Sequence, residues 1–522
     1  MKLFEKVALI KNICSSWLGL VVNVATGIII SPFILHRLGE EAFGLWVLVF
    51  SITGYYGLFD FGIRSSLVKY VAKFEATGDQ EELSHIINTS LFSYSCACLV
   101  LLALTTVGAA FLDKVIHVQH GYVTTAKILF FMVGAALALG FPLAVFGGVL
   151  EGLQKFYLIN AINIINTILR AVFIVIALNQ GYGLLMAAFI TAVLPLINGL
   201  VNAFNALRLT KVPIALHFVT KDTFKRIFSY GSVTFMFSLA RNLRFKTDAL
   251  VIGTFLSAAA ITPFAIGGRI VDYMNNLVDS MAQVFTPMSS HFEAKGDIDR
   301  LRSIYIGGNR ACALVVFPVC FGLIILGKSV IEVWMGAKYI AASYPVLLVL
   351  LIPSTIRMAQ ATSSRVLFGM ARHKVLAVVV LLEGVANLVL SIILVRPYGI
   401  VGDAVGTAIP LLFTYVVFLP RHLSIVLGQS IRTFLVKAYT VPLLLCLPMI
   451  AVLLALQRWF VPHTLVQLCI HTLLGGSVYA AFVYYFMFVK GPLRHVRAEP
   501  AKPQEDVSTE VEPAAVSYQE EA

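Results

Sequence analysis

Residues 73–83, KFEATGDQEEL, return at 291–301 as HFEAKGDIDRL. Phe, Glu, Ala, Gly, Asp and Leu match at six of eleven positions without a gap. A second echo pairs Val149-Leu150-Glu151-Gly152-Leu153 with Val366-Leu367-Phe368-Gly369-Met370, and a third pairs Gln180-Gly181-Tyr182-Gly183-Leu184 with Arg396-Pro397-Tyr398-Gly399-Ile400. The offsets are 218, 217 and 216 residues, which chance similarity of short polar loops does not produce in register. Self-similarity at a fixed period marks a duplicated architecture. The chain must therefore build two like halves.

Those halves belong in a membrane. Of 522 residues, 59% are hydrophobic and 13% charged, and the mean hydropathy is +0.88; a soluble domain carries about 25% charged residues. Apolar runs of roughly 20 residues, long enough for a hydrocarbon core of about 30 Å, follow one another along nearly the whole length. We expect an all-α polytopic protein of fourteen transmembrane helices, at about 12–36, 43–63, 86–111, 124–148, 157–179 and 183–207, then 227–247, 256–287, 305–327, 344–368, 375–395 and 399–420, and finally 437–457 and 465–489. This divides the chain into an N-terminal six-helix half (1–207), a basic cytoplasmic linker (208–226), a C-terminal six-helix half (227–421), two extra helices (422–490) and a disordered acidic tail (491–522). Lys2, Lys6 and Lys11 precede a first helix read as uncleaved, since no small-residue cleavage site follows.

Lys and Arg accumulate in the cytoplasmic loops of membrane proteins. With the N-terminus inside, 24 of the 39 fall on the inner side and 7 on the outer, so both termini are expected in the cytoplasm. The formal charge of +12 is thereby accounted for without nucleic acid. Each repeat holds an even number of helices, so both copies enter with the same polarity, about an axis along the membrane normal with a cleft between them. All seven cysteines lie in apolar runs, without metal-ligand spacing or a disulfide framework.

The chemistry should lie with charges inside the spans, each costing roughly 2.5–3.5 kcal/mol on insertion scales. The fifth helix has Asn160, Asn163, Thr167 and Arg170 on one stripe. The seventh carries Arg241, Arg244 and Asp248 with Lys246 nearby, and the eighth carries Arg269, Asp272, Asn276, Asp279 and Gln283. Arg310, Arg357 and Arg365 follow. By depth these arginines make a ladder across the membrane. Guanidinium forks suit phosphate oxygens, and Asp248, Asp272, Asp279, Glu383 and Asp403 are too few and scattered to neutralise all seven. A bland role, as a local ion pair or a snorkelling side chain, suits Arg310 and Arg365 best. We expect Arg170, Arg241, Arg244, Arg269 and Arg357 to hold an anionic group. Asp60, Asp248, Asp272 and Asp279 are candidate coupling or charge-pair carboxylates.

Gly322 to Ser329 fits the phosphate-loop pattern G-x-x-x-x-G-K-S, but its variable residues are apolar and inside an expected span, so no nucleotide site is read there. His117 and His120 sit in an outer loop and are read as solvated. No cofactor and no metal is called for.

Arg37-Leu38-Gly39 with Phe43-Gly44 follow the first helix, and Asp60-Phe61-Gly62 close the second. With Asp248 and Gly253 at the seventh, Pro287 closing the eighth, and both FEAxGD loops, the chain from about 10 to 490 resembles the polysaccharide (PST) branch of the MOP exporter superfamily, the Wzx-type flippases. The resemblance implies a MATE-like fold in the bacterial inner membrane. It implies transfer of an undecaprenyl-diphosphate-linked oligosaccharide of the O-antigen or exopolysaccharide type to the outer leaflet, by alternating access through a cationic cavity. Membrane lipids, glycosyltransferases and a glycan polymerase are the partners it implies. The rival on the same fold is a cation- or drug-exporting antiporter of the MATE type, which often uses a first-helix carboxylate; residues 12–36 contain none. A glycan polymerase or ligase would need a sizeable outer loop, and the longest here, about 112–123, is short.

Overall fold

A computed structural model describes residues 2–116, 119–229, 235, 239, 242 and 246–486, without the side chains of 2–10, 13, 14, 115 and 120. Among these residues there is no strand, as expected where lipid leaves each backbone group to be satisfied within its own segment. The N-terminal half contains α1 (Lys2–Leu38), α2 (Glu40–Gly54), α3 (Ile63–Thr77), α4 (Gln80–Val115), α5 (Val123–Gly152), α6 (Phe156–Asn179) and α7 (Leu184–Thr210). A short helix, α8 (residues 221–229), leads on. Then come α9 (Thr247–Phe255), α10 (Ala258–Ala282), α11 (Phe285–Ala294), α12 (Ile298–Met335), α13 (Ile340–Ala359), α14 (Ala361–Gly369) and α15 (Lys374–Leu412), followed by α16 (Leu419–Leu427), α17 (Ile431–Trp459) and α18 (Leu465–Tyr484). Eleven helical runs among the described residues are long and apolar enough to cross a membrane. One of them, Lys374–Leu427, is 54 residues long and contains two expected spans. The expected seventh span and the tail fall mostly outside the described residues.

The repeated motif is a helix stop joined to a helix start. Gly78 (φ 71°) and Gly296 (φ 67°) sit in the left-handed region that glycine enters without steric cost. The amides that follow turn back identically: Asp79 N–H to the Phe74 carbonyl and Asp297 N–H to that of Phe292, each at 3.0 Å. Each Asp then caps the next helix, accepting from Glu82 N–H (3.0 Å) and Arg300 N–H (2.9 Å). The second echo is as close, with Gln154 (φ 57°) and Ala371 (φ 54°) both left-handed. Lys155 N–H bonds the Leu150 carbonyl at 2.9 Å, and Arg372 N–H that of Leu367 at 3.0 Å. The third echo diverges: Gly181 (φ 86°) turns the first copy, whereas Pro397 stands in its place and the second copy turns at Gly399 (φ 60°).

Several boundaries differ from the expected ones. The second expected helix tightens to a 3-10 turn over Tyr55–Asp60, breaks at Phe61 and Gly62, and resumes as α3, so the supposed loop after 63 is helical. The expected 344–368 span breaks at Gln360, whose side-chain amide bonds the Tyr415 carbonyl inside a π turn, Phe413–Phe418. Gly322–Ser329 is continuous helix within α12, with no free loop to cradle a phosphate.

Packing separates the two ends of the bundle. At the end carrying Gly39, Gly181 and Gly336, one buried core joins both halves, including Leu45, Leu129 and Leu178 with Ile261, Met335 and Val346. Polar contacts reinforce it: Thr262 Oγ1 donates to the Glu40 carbonyl (2.7 Å) and Trp334 Nε1 to that of Ile28 (2.7 Å). At the FEAxGD end each half has its own core, one around Leu67, Leu83 and Val149 and one around Leu301, Val366 and Leu423. The linker and α8 pack on the N-terminal half, where Arg226 meets Glu82 at 2.6 Å and Asn88 Nδ2 donates to the Pro213 carbonyl at 2.9 Å.

Candidate functional site

Between the halves, α1, α2, α6, α7 and α10 enclose a cavity of about 540 Å³. Arg170 of α6, Lys246 before α9, and Arg269 of α10 line it, with Asp272 and Asn276 of α10 and Ser31 of α1. A neighbouring space of about 160 Å³ shares Lys246, Arg269 and Asp272 and adds Asp248, Asn275 and Thr407. Asp272 is solvent-exposed and the three cations are half-buried, although all sit well inside the bundle. Arg269 Nη1 also donates to Ser31 Oγ at 3.0 Å, a contact between the halves. In the larger cavity three cations thus face one carboxylate.

Of the five arginines expected to act together, the structure brings Arg170 and Arg269 into one cavity. Arg241 and Arg244 lie outside the described residues. Arg357 is buried elsewhere, bonded to Asn275 Oδ1 and 3.7 Å from Asp279 Oδ1, beside a space of about 170 Å³ that also touches Arg365. Arg310 bonds the Lys437 carbonyl through Nε at 2.8 Å, tying α12 to α17.

The four carboxylates divide in the same manner. Asp60 sits in the N-terminal half, accepting from Tyr94 Oη and from Arg64 N–H at 3.1 Å. Asp279 accompanies Arg357, and Asp272 faces the central cavity. Asp248 begins a chain of oxygens in the C-terminal half: Thr407 Oγ1 lies 3.1 Å from both Asp248 Oδ1 and Asn387 Oδ1. Ser391 Oγ continues it, 3.0 Å from Asn387 Oδ1 and 3.2 Å from the Asp403 carbonyl. The Asp403 carboxylate is fully buried beside Ser391. Clustered oxygens of this kind offer a place for a proton or a hard cation. Sequence reasoning overlooked Asn387, Ser391 and Thr407, although Glu383, Asn387 and Ser391 recur every four residues, on one helix face.

Beside the central cavity lies an apolar groove of about 500 Å³ between α1, α10, α12 and α18, lined by Ile28, Ile29, Met274, Leu323, Trp334 and Leu468 among others. Tyr273 borders both spaces. A methyl on Gly27 would stand 2.5 Å from Tyr273 Oη, so the bare backbone there lets the ring stand between the polar and the apolar space.

A family model described as "Polysaccharide biosynthesis protein" matches residues 34–344. A Shigella flexneri protein named for O-antigen transport is 23% identical over 415 residues, covering 77% of this chain and 94% of its own. Among solved structures, the lipid II flippase MurJ in an inward closed conformation superposes with a TM-score of 0.71 at 16% identity, covering 92% of this chain and 99% of its own. An inward-facing multidrug resistance MATE family transporter of the MOP superfamily gives 0.67 at 15% identity, covering 79% and 96%. At these identities the solved structures speak for the fold.

Proposed function

This chain belongs to the polysaccharide biosynthesis protein family, and we propose that it flips an undecaprenyl-diphosphate-linked oligosaccharide from the inner to the outer leaflet of the bacterial inner membrane. The observation that carries this is the junction at Tyr273 of a cavity bearing Arg170, Lys246 and Arg269 with an apolar groove. A lipid-linked sugar needs both surfaces at once. Its diphosphate exchanges water for charge-assisted hydrogen bonds, while its polyprenyl chain stays in hydrocarbon. Water in the cavity also explains how three cations are tolerated where each would otherwise cost roughly 2.5–3.5 kcal/mol.

With the FEAxGD end in the cytoplasm, as the loop charges favour, the separate cores there and the joined core opposite correspond to an inward-facing state. Parting the joined end while closing the other would carry the headgroup across. Asp248 and its oxygen chain are the coupling site of this reading, taking a proton or a cation in one state and releasing it in the other. Glycosyltransferases would supply the substrate and a glycan polymerase would receive it. The relative named for O-antigen transport supports the glycan as cargo; the MATE likeness extends to the fold. A cation exporter would call for carboxylates to dominate the central cavity, where Asp272 is outnumbered.

The test is transfer in proteoliposomes of a fluorescent undecaprenyl-diphosphate sugar, set against efflux of a lipophilic cationic dye. Flipping of the lipid without dye efflux is expected. Dye efflux without lipid flipping overturns the reading.

A further inference from the structure

The N-terminal half encloses a second cavity of about 510 Å³, within the roughly 300–1,000 Å³ of small-molecule sites. Its charged groups already have partners within the wall. Arg64 grips Glu151 through two bonds, Nη2 to Oε1 at 2.6 Å and Nε to Oε2 at 3.2 Å, and Asp60 is held by Tyr94 Oη and the Arg64 amide. What remains is neutral and polar. Asn202 Nδ2 donates to Asn198 Oδ1 (3.0 Å) and Asn198 Nδ2 to Asn163 Oδ1 (2.7 Å), a chain running from buried Asn202 to exposed Asn163. Each amide orients the next, so the group presented at Asn163 is fixed before any ligand arrives. Pro195, also in the wall, has no N–H and so leaves the Thr191 carbonyl without its usual helical donor. Tyr94 packs edge-on against Phe141, centroids 5.6 Å apart, and both rings border the space.

Phe50 and Thr191 line this cavity and the basic one alike, so the two spaces abut. Neutral amides and aromatic rings suit a hydroxyl-rich ring whose C–H faces lie on the aromatics. They do not suit a phosphate. Resting on the flippase reading above, we infer that the N-terminal cavity is a saccharide subsite, which receives the first sugars of the headgroup while Arg170, Lys246 and Arg269 hold the diphosphate.

The experiment compares binding of two lipids by the full chain in nanodiscs: bare undecaprenyl diphosphate, and the same lipid bearing one N-acetylhexosamine. The wild type should bind the sugar-bearing lipid about tenfold tighter, the scale of one or two hydrogen bonds. Asn198→Leu, and separately Asn163→Ala at the exposed end, should erase that increment while affinity for the bare lipid, which also reports correct folding, stays unchanged. An increment surviving both substitutions overturns the subsite, as does no increment in the wild type. Equal weakening of both lipids in both variants does so too, since it returns the asparagines to a structural role. Failure of the wild type to bind either lipid strikes instead at the flippase reading.

Discussion

Glu40 and Lys338 face each other across the two halves, Oε1 to Nζ at 2.8 Å, while the Glu40 carbonyl accepts from Thr262. One residue of the N-terminal half thus holds two elements of the C-terminal half at the joined end. Both charged side chains are well exposed, and such pairs contribute about 0–1 kcal/mol. Glu40→Gln should therefore alter the transport rate by less than about tenfold, the factor that corresponds to 1.4 kcal/mol. A reducible cross-link between cysteines placed at 40 and 338 should stop transport, with recovery on reduction. Full transport by the cross-linked protein would mean that the halves need not part there.

Thr77 and Lys295 occupy equivalent places in the two caps, both exposed. Cysteines at either position should resist a membrane-impermeant thiol reagent in intact cells and react once the membrane is permeabilised. Labelling of one alone in intact cells would contradict two parallel copies.

The repeat was legible in the sequence because its residues have local jobs. Gly78 and Asp79 stop one helix and cap the next, and Gly296 and Asp297 do the same. Hydrophobic length placed most spans. It could not show that helix resumes beyond Phe61 as α3, because that short helix mixes polar with apolar residues and is not an apolar run. Arg170 and Arg269 were found as charges in apolar context, and Arg310, given a local role there, does bond a neighbouring helix; the same rule swept in Arg357, which is buried with Asn275 and Asp279. A charge count reveals that a charge must be satisfied, not by what. Thr407, Asn387 and Ser391 went unnoticed because neutral groups inside a span are commonplace; only the fold sets them beside Asp248.

The Asp248 chain yields a prediction about energy coupling. If a proton or cation binds there, Asp248→Asn should abolish the dependence of transport on an imposed ion gradient. Thr407→Val should weaken it, since it removes the hydroxyl between Asp248 and Asn387. Asp60→Asn, in the other half, should leave the dependence intact. Gradient-driven transport at wild-type level by Asp248→Asn would place coupling elsewhere.

The last prediction separates binding arginines from structural ones. Arg170 and Arg269 line the cavity between the halves, so Ala at either should cost about 1.5–3 kcal/mol of charge-assisted bonding to a phosphate, at least a tenfold loss of flipping with little change in thermal stability. Lys at either should recover part of the rate, because it keeps the charge but not the planar fork. Arg357 should behave differently. Its guanidinium is buried with Asn275 and near Asp279, so Arg357→Ala leaves unsatisfied partners and should lower the melting temperature, with transport falling alongside folded protein. Transport per folded molecule, scored as surface glycan in a flippase-null strain at matched protein levels, distinguishes the two cases. Full activity from Ala at both 170 and 269 would remove the anionic headgroup from the central cavity, and the reading built on it with it.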